Sequence, residues 1–403
     1  MAYTLISFVG TGMYKDDGYE KATYIFPEKN EAETSIFIKA LLETKYREFS
    51  KIILLGTTTS GWDMFLEDDI DLWSEIKEKR ENNLLNEDDF LRIQSYIQSQ
   101  LGIPVVIKFH TEKIDSDTSL EIFNTYNSII PEITDENVLF DITHSFRSMP
   151  ILLYQALQFS ISQNPNIKNI ELVYGELKGK NSPAYVRDLS SYWRYSQISD
   201  ALNVFKTKLD GYRLASLINE DWEEGAKVII RLSDIIQTNF SLQIIEVSRQ
   251  LKNTLKKYPV NASSWLYEIK TFLEEFYNYI SDETMYMTLY KYAKFLYLRK
   301  LNVQSIITLQ VAVETYIAEI TNNSENIGNY EWWQNEGKQI LYGIKGNNWK
   351  QIGEPLRDLE KFRNQIAHGG GTDRDGKYPQ AANIPSIYKN GIKGIENLFM
   401  LTI

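Results

Sequence analysis

The apolar positions of this chain fall into two regimes. From residue 5 to about residue 175, short continuous apolar runs recur, each closed by small or polar residues: Leu5–Val9, Lys51–Leu55, Pro104–Phe109, Val138–Thr143 and Ile170–Gly175. A run of this length without polar alternation predicts a strand buried on both faces. Stretches of helical period lie between the runs. Glu31–Leu42 predicts a helix with Ile36, Phe37, Ala40 and Leu41 on one face, residues 63–100 predict a polar helical excursion, and a further helix is expected from about Pro150 to Ser162. Strands and helices alternating in this way predict a parallel sheet covered on both faces, a Rossmann-like α/β domain.

Past about residue 195 the rhythm stops, and the remainder is patterned as an all-α domain. In Gln304–Ile320 the residues Ile306, Leu309, Val313, Tyr316 and Ile320 fall at steps of three and four, one stripe of a helix. Ile352, Leu356, Leu359, Phe362 and Ile366 repeat that stripe, with Pro355 tolerated in a first turn. The change of period places a domain boundary near residues 190–200, giving domains 1–195 and 196–403.

Composition narrows the class. Apolar residues make up 43% of 403 positions, and no apolar run reaches the ~20 residues that span a bilayer. The opening MAYTLISFVGTG has no basic stretch ahead of its apolar run, so it is read as a first strand and not a signal peptide. There are no cysteines, which removes disulfides and thiolate metal sites and fits a cytoplasmic location. The net charge of −11 argues against a general grip on duplex DNA, so any nucleic-acid contact is expected to be local, through a few Lys and Arg in a cleft. His110, His144 and His368 are far apart and show no metal-ligand spacing, so neither a metal nor a cofactor is expected.

In an open parallel sheet, ligands bind beyond the carboxyl ends of the strands. Three polar loops occupy such ends: Gly10-Thr11-Gly12, the Gly56–Gly61 loop with Thr57, Thr58 and Thr59, and Asp141-Ile142-Thr143-His144-Ser145. Glycines let backbone N–H groups approach phosphate oxygens, and hydroxyls add neutral donors, which is how an acidic protein can hold a polyanion. The first loop is not a dinucleotide fingerprint, because Lys15 stands where the third glycine is required. The second has P-loop spacing, but Trp62-Asp63 replaces the required Lys-Ser/Thr. A nicotinamide oxidoreductase and a magnesium–triphosphate enzyme are therefore disfavoured. Taken singly, each loop is equally well a strand-to-helix turn, His144 a polar core contact and Asp141 a helix cap.

The run Asp141-Ile142-Thr143-His144-Ser145-Phe146-Arg147-Ser148-Met149-Pro150 resembles the signature of the CRISPR-associated DxTHG-motif family, with Ser145 where that family carries Gly. Ser7–Gly12 and Val173-Tyr174-Gly175 are similar to the same family, so the resemblance covers most of residues 1–190. It implies a CARF domain, a Rossmann-like sensor of cyclic oligoadenylates. The expected ligand pocket then comprises Gly10, Thr11, Gly12, Thr57, Thr58, Thr59, Asp141, Thr143, His144, Ser145 and Arg147, open to a ring of four or six adenylates.

Arg363-Asn364-Gln365-Ile366-Ala367-His368 fits R-x4-H and resembles the motif of HEPN ribonucleases. It ends an amphipathic stripe, with Gly369-Gly370-Gly371 as the stop signal. RNA can cleave itself when its 2′-oxygen attacks the adjacent phosphate. Such a site needs a proton carrier near neutral pH, for which His368 is suited, and a cation for the charged phosphorane, for which Arg363 offers a fixed fork of donors. Asn364 is expected to orient the arginine or the phosphate. Positions i and i+5 lie about 140° apart on a helix, so one helix does not aim both side chains at one point. The resemblance implies a homodimer, or higher even oligomer, whose facing helices resolve this. The expected function is a cyclic-oligoadenylate-activated, metal-independent endoribonuclease acting on single-stranded RNA. The alternative is a ligand-controlled regulator whose helical half recognises RNA or protein without cutting.

Overall fold

A computed structural model describes residues 2–12, 14–15, 18–113, 115, 117–144, 149–161, 164–177, 182–259, 262–367, 369–372, 378 and 380–401. The chain divides into two compact units, Met1–Arg194 and Tyr195–Ile403.

Among its described residues the first unit has ten strands: β1 (Ala2–Phe8), β2 (Tyr14–Lys15), β3 (Gly18–Tyr19), β4 (Ala22–Ile25), β5 (Glu31–Thr34), β6 (Glu48–Gly56), β7 (Val105–Phe109), β8 (Asn137–Asp141), β9 (Asn169–Leu177) and β10 (Ala184–Asp188). Eight of them form one sheet in the order β5-β4-β10-β9-β8-β1-β6-β7. β9, β8, β1, β6 and β7 are mutually parallel, and these are the five apolar runs of the sequence. The sheet as a whole is mixed, which corrects the expectation of an all-parallel sheet: β10 runs antiparallel to β9, and β5 antiparallel to β4.

The expected helix over Glu31–Leu42 is also corrected. Glu31–Thr34 is the edge strand β5, with Ala32 and Thr34 buried in alternation with exposed Glu31 and Glu33, and the helix begins only at Phe37. Backbone groups on Glu31–Thr34 pair with Ala22–Ile25, so a hairpin partner takes these residues out of the helix whose apolar face, Phe37, Ala40 and Leu41, begins after them.

Helices cover both faces. Leu5, Leu54 and Leu139 pack with residues of α1 (Phe37–Glu43), α2 (Ile70–Glu81) and α3 (Glu87–Leu101). Ile6, Ile53 and Phe140 point the other way, toward α4 (Ser119–Asn127) and α5 (Met149–Ile161). Successive side chains face opposite sides, the two-residue period of a strand, so adjacent Leu5 and Ile6 of β1 are both apolar. α3 is fixed at its start by a reciprocal Asn86–Asp89 capping box and ends at Gly102, whose φ of 64° suits glycine.

The second unit is helical, with no strand among its described residues. Its elements are α6 (Ser190–Lys208, entering from the first unit), α7 (Tyr212–Ile218), α8 (Glu223–Thr238), α9 (Gln243–Lys256), α10 (Ser264–Ile280), α11 (Met285–Leu298), α12 (Asn302–Ile320), α13 (Tyr330–Trp332), α14 (Lys338–Lys345), α15 (Glu354–Ala367) and α16 (Ile384–Phe399). α12 buries Ile306, Leu309, Val313 and Tyr316, and α15 buries Leu356, Leu359 and Phe362. The stripe beginning at Ile352 is broken by a π turn, Trp349–Gly353, before α15 starts. A second π turn, Trp333–Gly337, precedes α14. Each starts on Trp and ends on Gly, and the indole lies over the glycine: a Cβ on Gly337 would stand 2.5 Å from Trp333, and one on Gly353 2.3 Å from Trp349. No helix among the described residues is long and apolar enough to cross a membrane.

Candidate functional site

Because β8, β1 and β6 are parallel neighbours, their following loops open on one edge of the sheet. Hydrogen bonds tie the loops together. Val9 N–H donates to the Leu55 carbonyl at 2.8 Å, Gly61 N–H to the Gly10 carbonyl at 2.7 Å, and His110 N–H to the Gly56 carbonyl at 3.0 Å. The Gly10–Gly12, Thr57–Thr59 and Asp141–His144 segments therefore share one rim.

Within the first segment, Thr11 and Gly12 are exposed and Gly10 is half-buried. Gly12 has a φ of +67°, and a Cβ there would come within 2.7 Å of the Met64 sulfur, so both backbone and space call for glycine. Arg80 anchors this loop from α2. Its guanidinium donates to the Thr11 carbonyl at 3.2 Å and pairs with buried Asp63 at 3.2 Å.

Thr57 is buried. Its N–H donates to Ser60 Oγ at 2.9 Å, and its hydroxyl lies 3.1 Å from that of Thr59. Thr59 in turn bonds Glu112, and Thr58 between them is half-buried. Two of the three threonines thus serve to shape the loop.

Asp141 is fully buried at the end of β8. One carboxylate oxygen accepts from Ser7 Oγ at 2.6 Å and the other from Thr143 N–H at 2.8 Å. Burial pushes its carboxyl up to about 6, against these donors, which hold it down. Thr143 passes the connection on: its hydroxyl accepts from Gly175 N–H on β9 at 2.9 Å. Asp141 thus braces three adjacent strands at their carboxyl ends.

His144 sits against the other side of the rim. Its Nε2 accepts from Phe37 N–H, the first residue of α1, at 3.3 Å, and lies 3.2 Å from the Tyr24 hydroxyl. Burial lowers the imidazole to about 4, and an acceptor role at Nε2 requires the neutral ring with its proton on Nδ1. Gly10 faces this ring. A Cβ there would stand 3.0 Å from the His144 Cβ and 3.6 Å from Nδ1. Ser145 and Arg147 lie outside the described residues, as do Phe146 and Ser148 of the same motif.

In the helical unit, Arg363 is half-buried and Asn364 exposed, both in the last turns of α15. α15 packs on α12, which carries Glu314. Burial raises the Glu314 carboxyl, while a 3.1 Å bond from Gln310 and the positive charge of Arg363 pull it back. Lys338, at the start of α14, pairs with Glu360 of α15 at 3.1 Å. α15 closes with Gly369 N–H on the Ile366 carbonyl at 3.0 Å and Gly370 N–H on the Gln365 carbonyl at 2.8 Å; both glycines have positive φ. His368 lies outside the described residues.

Several residues that shape these sites were not singled out from the sequence: Ser7, Tyr24, Arg80, Gln310 and Glu314. Ser7 and Glu314 carried a signal, each being a polar residue inside an apolar stripe. Tyr24 and Arg80 carried none, since the loop residues they hold, His144 and Thr11, are more than 60 residues away in sequence.

The family model described as the CARF domain of the CRISPR system endoribonuclease Csx1 matches residues 4–176. The model for the second domain of CRISPR-associated protein MJ1674 matches residues 195–285. Among curated proteins, CRISPR-associated protein MJ1674 of Methanocaldococcus jannaschii is 28% identical over 287 residues, which cover 64% of this chain and 44% of that protein. The match thus spans less than half of that relative's length. With a mixed α/β sheet in the matched region and its loops gathered on one rim, the first unit is similar to the CARF domains of CRISPR-associated proteins, and part of the second is similar to the second domain of MJ1674.

Proposed function

We propose that this protein is an endoribonuclease of CRISPR defence, switched on when its CARF domain binds a cyclic oligoadenylate. The observation that carries the reading is the presence in one chain of a match to a CARF-domain model over residues 4–176 and an R-x4-H sequence whose Arg363 lies on α15. The rim supplies what a ring of adenylates needs. It offers exposed loop backbone at Thr11 and Gly12, half-buried Thr58 on the threonine loop, and a neutral His144 that adds no positive charge yet keeps a donor at Nδ1. The resemblance of the motif adds Ser145 and Arg147 to the proposed ligand set.

In the helical unit, Arg363 would stabilise the phosphorane and His368 would carry the proton from the 2′-hydroxyl or to the leaving 5′-oxygen. The products are then a 2′,3′-cyclic phosphate and a 5′-hydroxyl, and no metal is needed. Asn364 assists in orientation. Glu314 beside Arg363 favours the position of the guanidinium. The 140° separation of i and i+5 on a helix favours a site shared by two chains, hence a homodimer or higher even oligomer.

The test is a fluorescent single-stranded RNA reporter incubated with cyclic rings of three to six adenylates, each alone. One ring size should raise cleavage strongly, and linear oligoadenylates should do much less. If no ring binds and none changes the rate, the sensor reading fails. If a ring binds but RNA stays intact, the chain is a ligand-controlled regulator.

A further inference from the structure

The chain carries a net charge of −11, yet one surface of the second unit reverses that sign. α9 and the residue after it present Arg249, Lys252, Lys256 and Lys257, all exposed, against a single acidic residue, Glu246. Among the described residues none of these four is ion-paired. Arg249, Lys252 and Lys256 recur at steps of three and four, so they share one face of the helix over about 10 Å of its axis.

That face borders a groove of about 560 Å³ between α8 and α9. Glu224, Lys227 and Arg231 line it from α8, Gln250 and Asn253 from α9, and Lys257 from the residue just beyond α9, so cations outnumber the one carboxylate. Val228 and Ile230 supply apolar surface within the same groove. Lys227 and Arg231 hold surface ion pairs with Glu223 at 2.7 Å and Glu246 at 3.5 Å. Such exposed pairs stabilise a fold by ~0–1 kcal/mol, so they yield readily to a phosphate.

We propose that the α8–α9 groove and the adjoining face of α9 form a binding track for the phosphate backbone of single-stranded RNA, separate from the R-x4-H motif. Successive cations along about 10 Å match a strand that presents several phosphates over that distance. Side-chain amides between the cations can reach sugar and base edges, and the apolar groove surface can take unstacked bases. A simple acidic peptide would not need that apolar surface. The inference takes from the proposed function only that RNA is the substrate, and its test reads binding, not cleavage.

The test uses the full chain with His368→Ala, so that RNA stays intact, and a fluorescein-labelled single-stranded RNA followed by anisotropy across a salt series. The triple reversal Arg249→Glu, Lys252→Glu, Lys256→Glu should weaken binding on the order of tenfold or more at low salt. It should flatten the log–log salt slope by about 2, since each phosphate contact to a single strand contributes about 0.7. The milder triple Arg249→Gln, Lys252→Gln, Lys256→Gln should fall in between with an unchanged melting temperature, which separates lost binding from lost folding. Reversing Lys21, Lys29 and Lys168 in the first unit controls for net charge and should leave the slope unchanged. Equal affinity and slope for wild-type and reversed α9 would overturn the track and leave the patch to an acidic protein surface. Groove-dependent RNA binding by a chain that never cleaves RNA would sink the nuclease reading and leave this one standing.

Discussion

The backbone N–H of Phe37, which opens α1, donates to Nε2 of His144 at 3.3 Å. That single contact joins a helix start to the end of the β8 loop and fixes which nitrogen of the imidazole is bare. A proton on Nε2 would remove the acceptor and place a positive charge at a helix N-terminus, where the dipole already disfavours cations. Burial works in the same direction, and the ring titrates at about 4.

The first prediction follows from this and from Asp141, with opposite signs. His144 titrates at about 4 folded, against about 6.5 unfolded. The unfolded chain binds more protons between those values, so His144 costs stability as pH falls from 6.5 to 4. Asp141 titrates at about 6 folded, against about 3.9 unfolded. The folded chain binds more protons there, so Asp141 adds stability as pH falls from 6 to 4. In the wild type the two effects oppose each other. Melting temperatures of His144→Gln relative to wild type should therefore rise on acidification from pH 7 to 5, and those of Asp141→Asn should fall. Parallel curves for all three proteins would show that neither group titrates as described.

A second expectation concerns the brace at the strand ends. Ser7→Ala leaves one oxygen of buried Asp141 without its donor, and Thr143→Val leaves Gly175 N–H without its acceptor. Each should cost roughly 1–3 kcal/mol, the penalty of an unsatisfied buried group. Chemical denaturation with unchanged slope would read this directly. Both variants should also raise the concentration of cyclic oligoadenylate needed for half-maximal cleavage.

Gly10 provides a third. Its φ is not positive, so only space demands glycine there, and the obstacle is the His144 Cβ at 3.0 Å. Gly10→Ala should therefore weaken ligand binding by displacing His144 a few tenths of an ångström. Combined with His144→Ala, the damage should be less than the sum of the single changes. A double-mutant cycle of ligand affinities checks it, and strict additivity would place the two residues out of contact.

In the helical unit, His368→Ala and Arg363→Ala should each lower RNA cleavage by ~10²–10⁴-fold while leaving the circular dichroism spectrum and ligand affinity unchanged. Chelation by EDTA should have no effect on the wild-type rate. A reaction stopped by EDTA and indifferent to His368→Ala would require a different mechanism.

Light scattering supplies the fifth. A shared R-x4-H site predicts that an even oligomer, at minimum a dimer, is the active species. A monomer that cleaves at full specific activity after dilution would show that one chain completes the site.

The sequence alone determined the five core strands and the helical second half. Strands in the middle of a covered sheet are apolar at most buried positions, and β1, β6, β7, β8 and β9 were therefore legible as short apolar runs. α12 was legible because its stripe is long enough for the helical period to be unmistakable. The placement of Gly10, Thr57 and Thr143 at strand ends followed from the same runs. The edge of the sheet was decided only by tertiary structure. Four residues with two buried, as in Glu31–Thr34, are too short to carry a period, and what makes them a strand is the hairpin with Ala22–Ile25. The chemistry of the rim was settled in the same way. Nothing local to His144 specifies an acceptor at Nε2, because the donor, Phe37, is 107 residues away. Nothing local to Asp141 specifies a carboxyl near 6, because its burial and its Ser7 partner come from a strand 134 residues earlier. Local sequence sets backbone preference and apolar burial, whereas hydrogen-bond partners and desolvation belong to whichever distant segments the fold brings alongside.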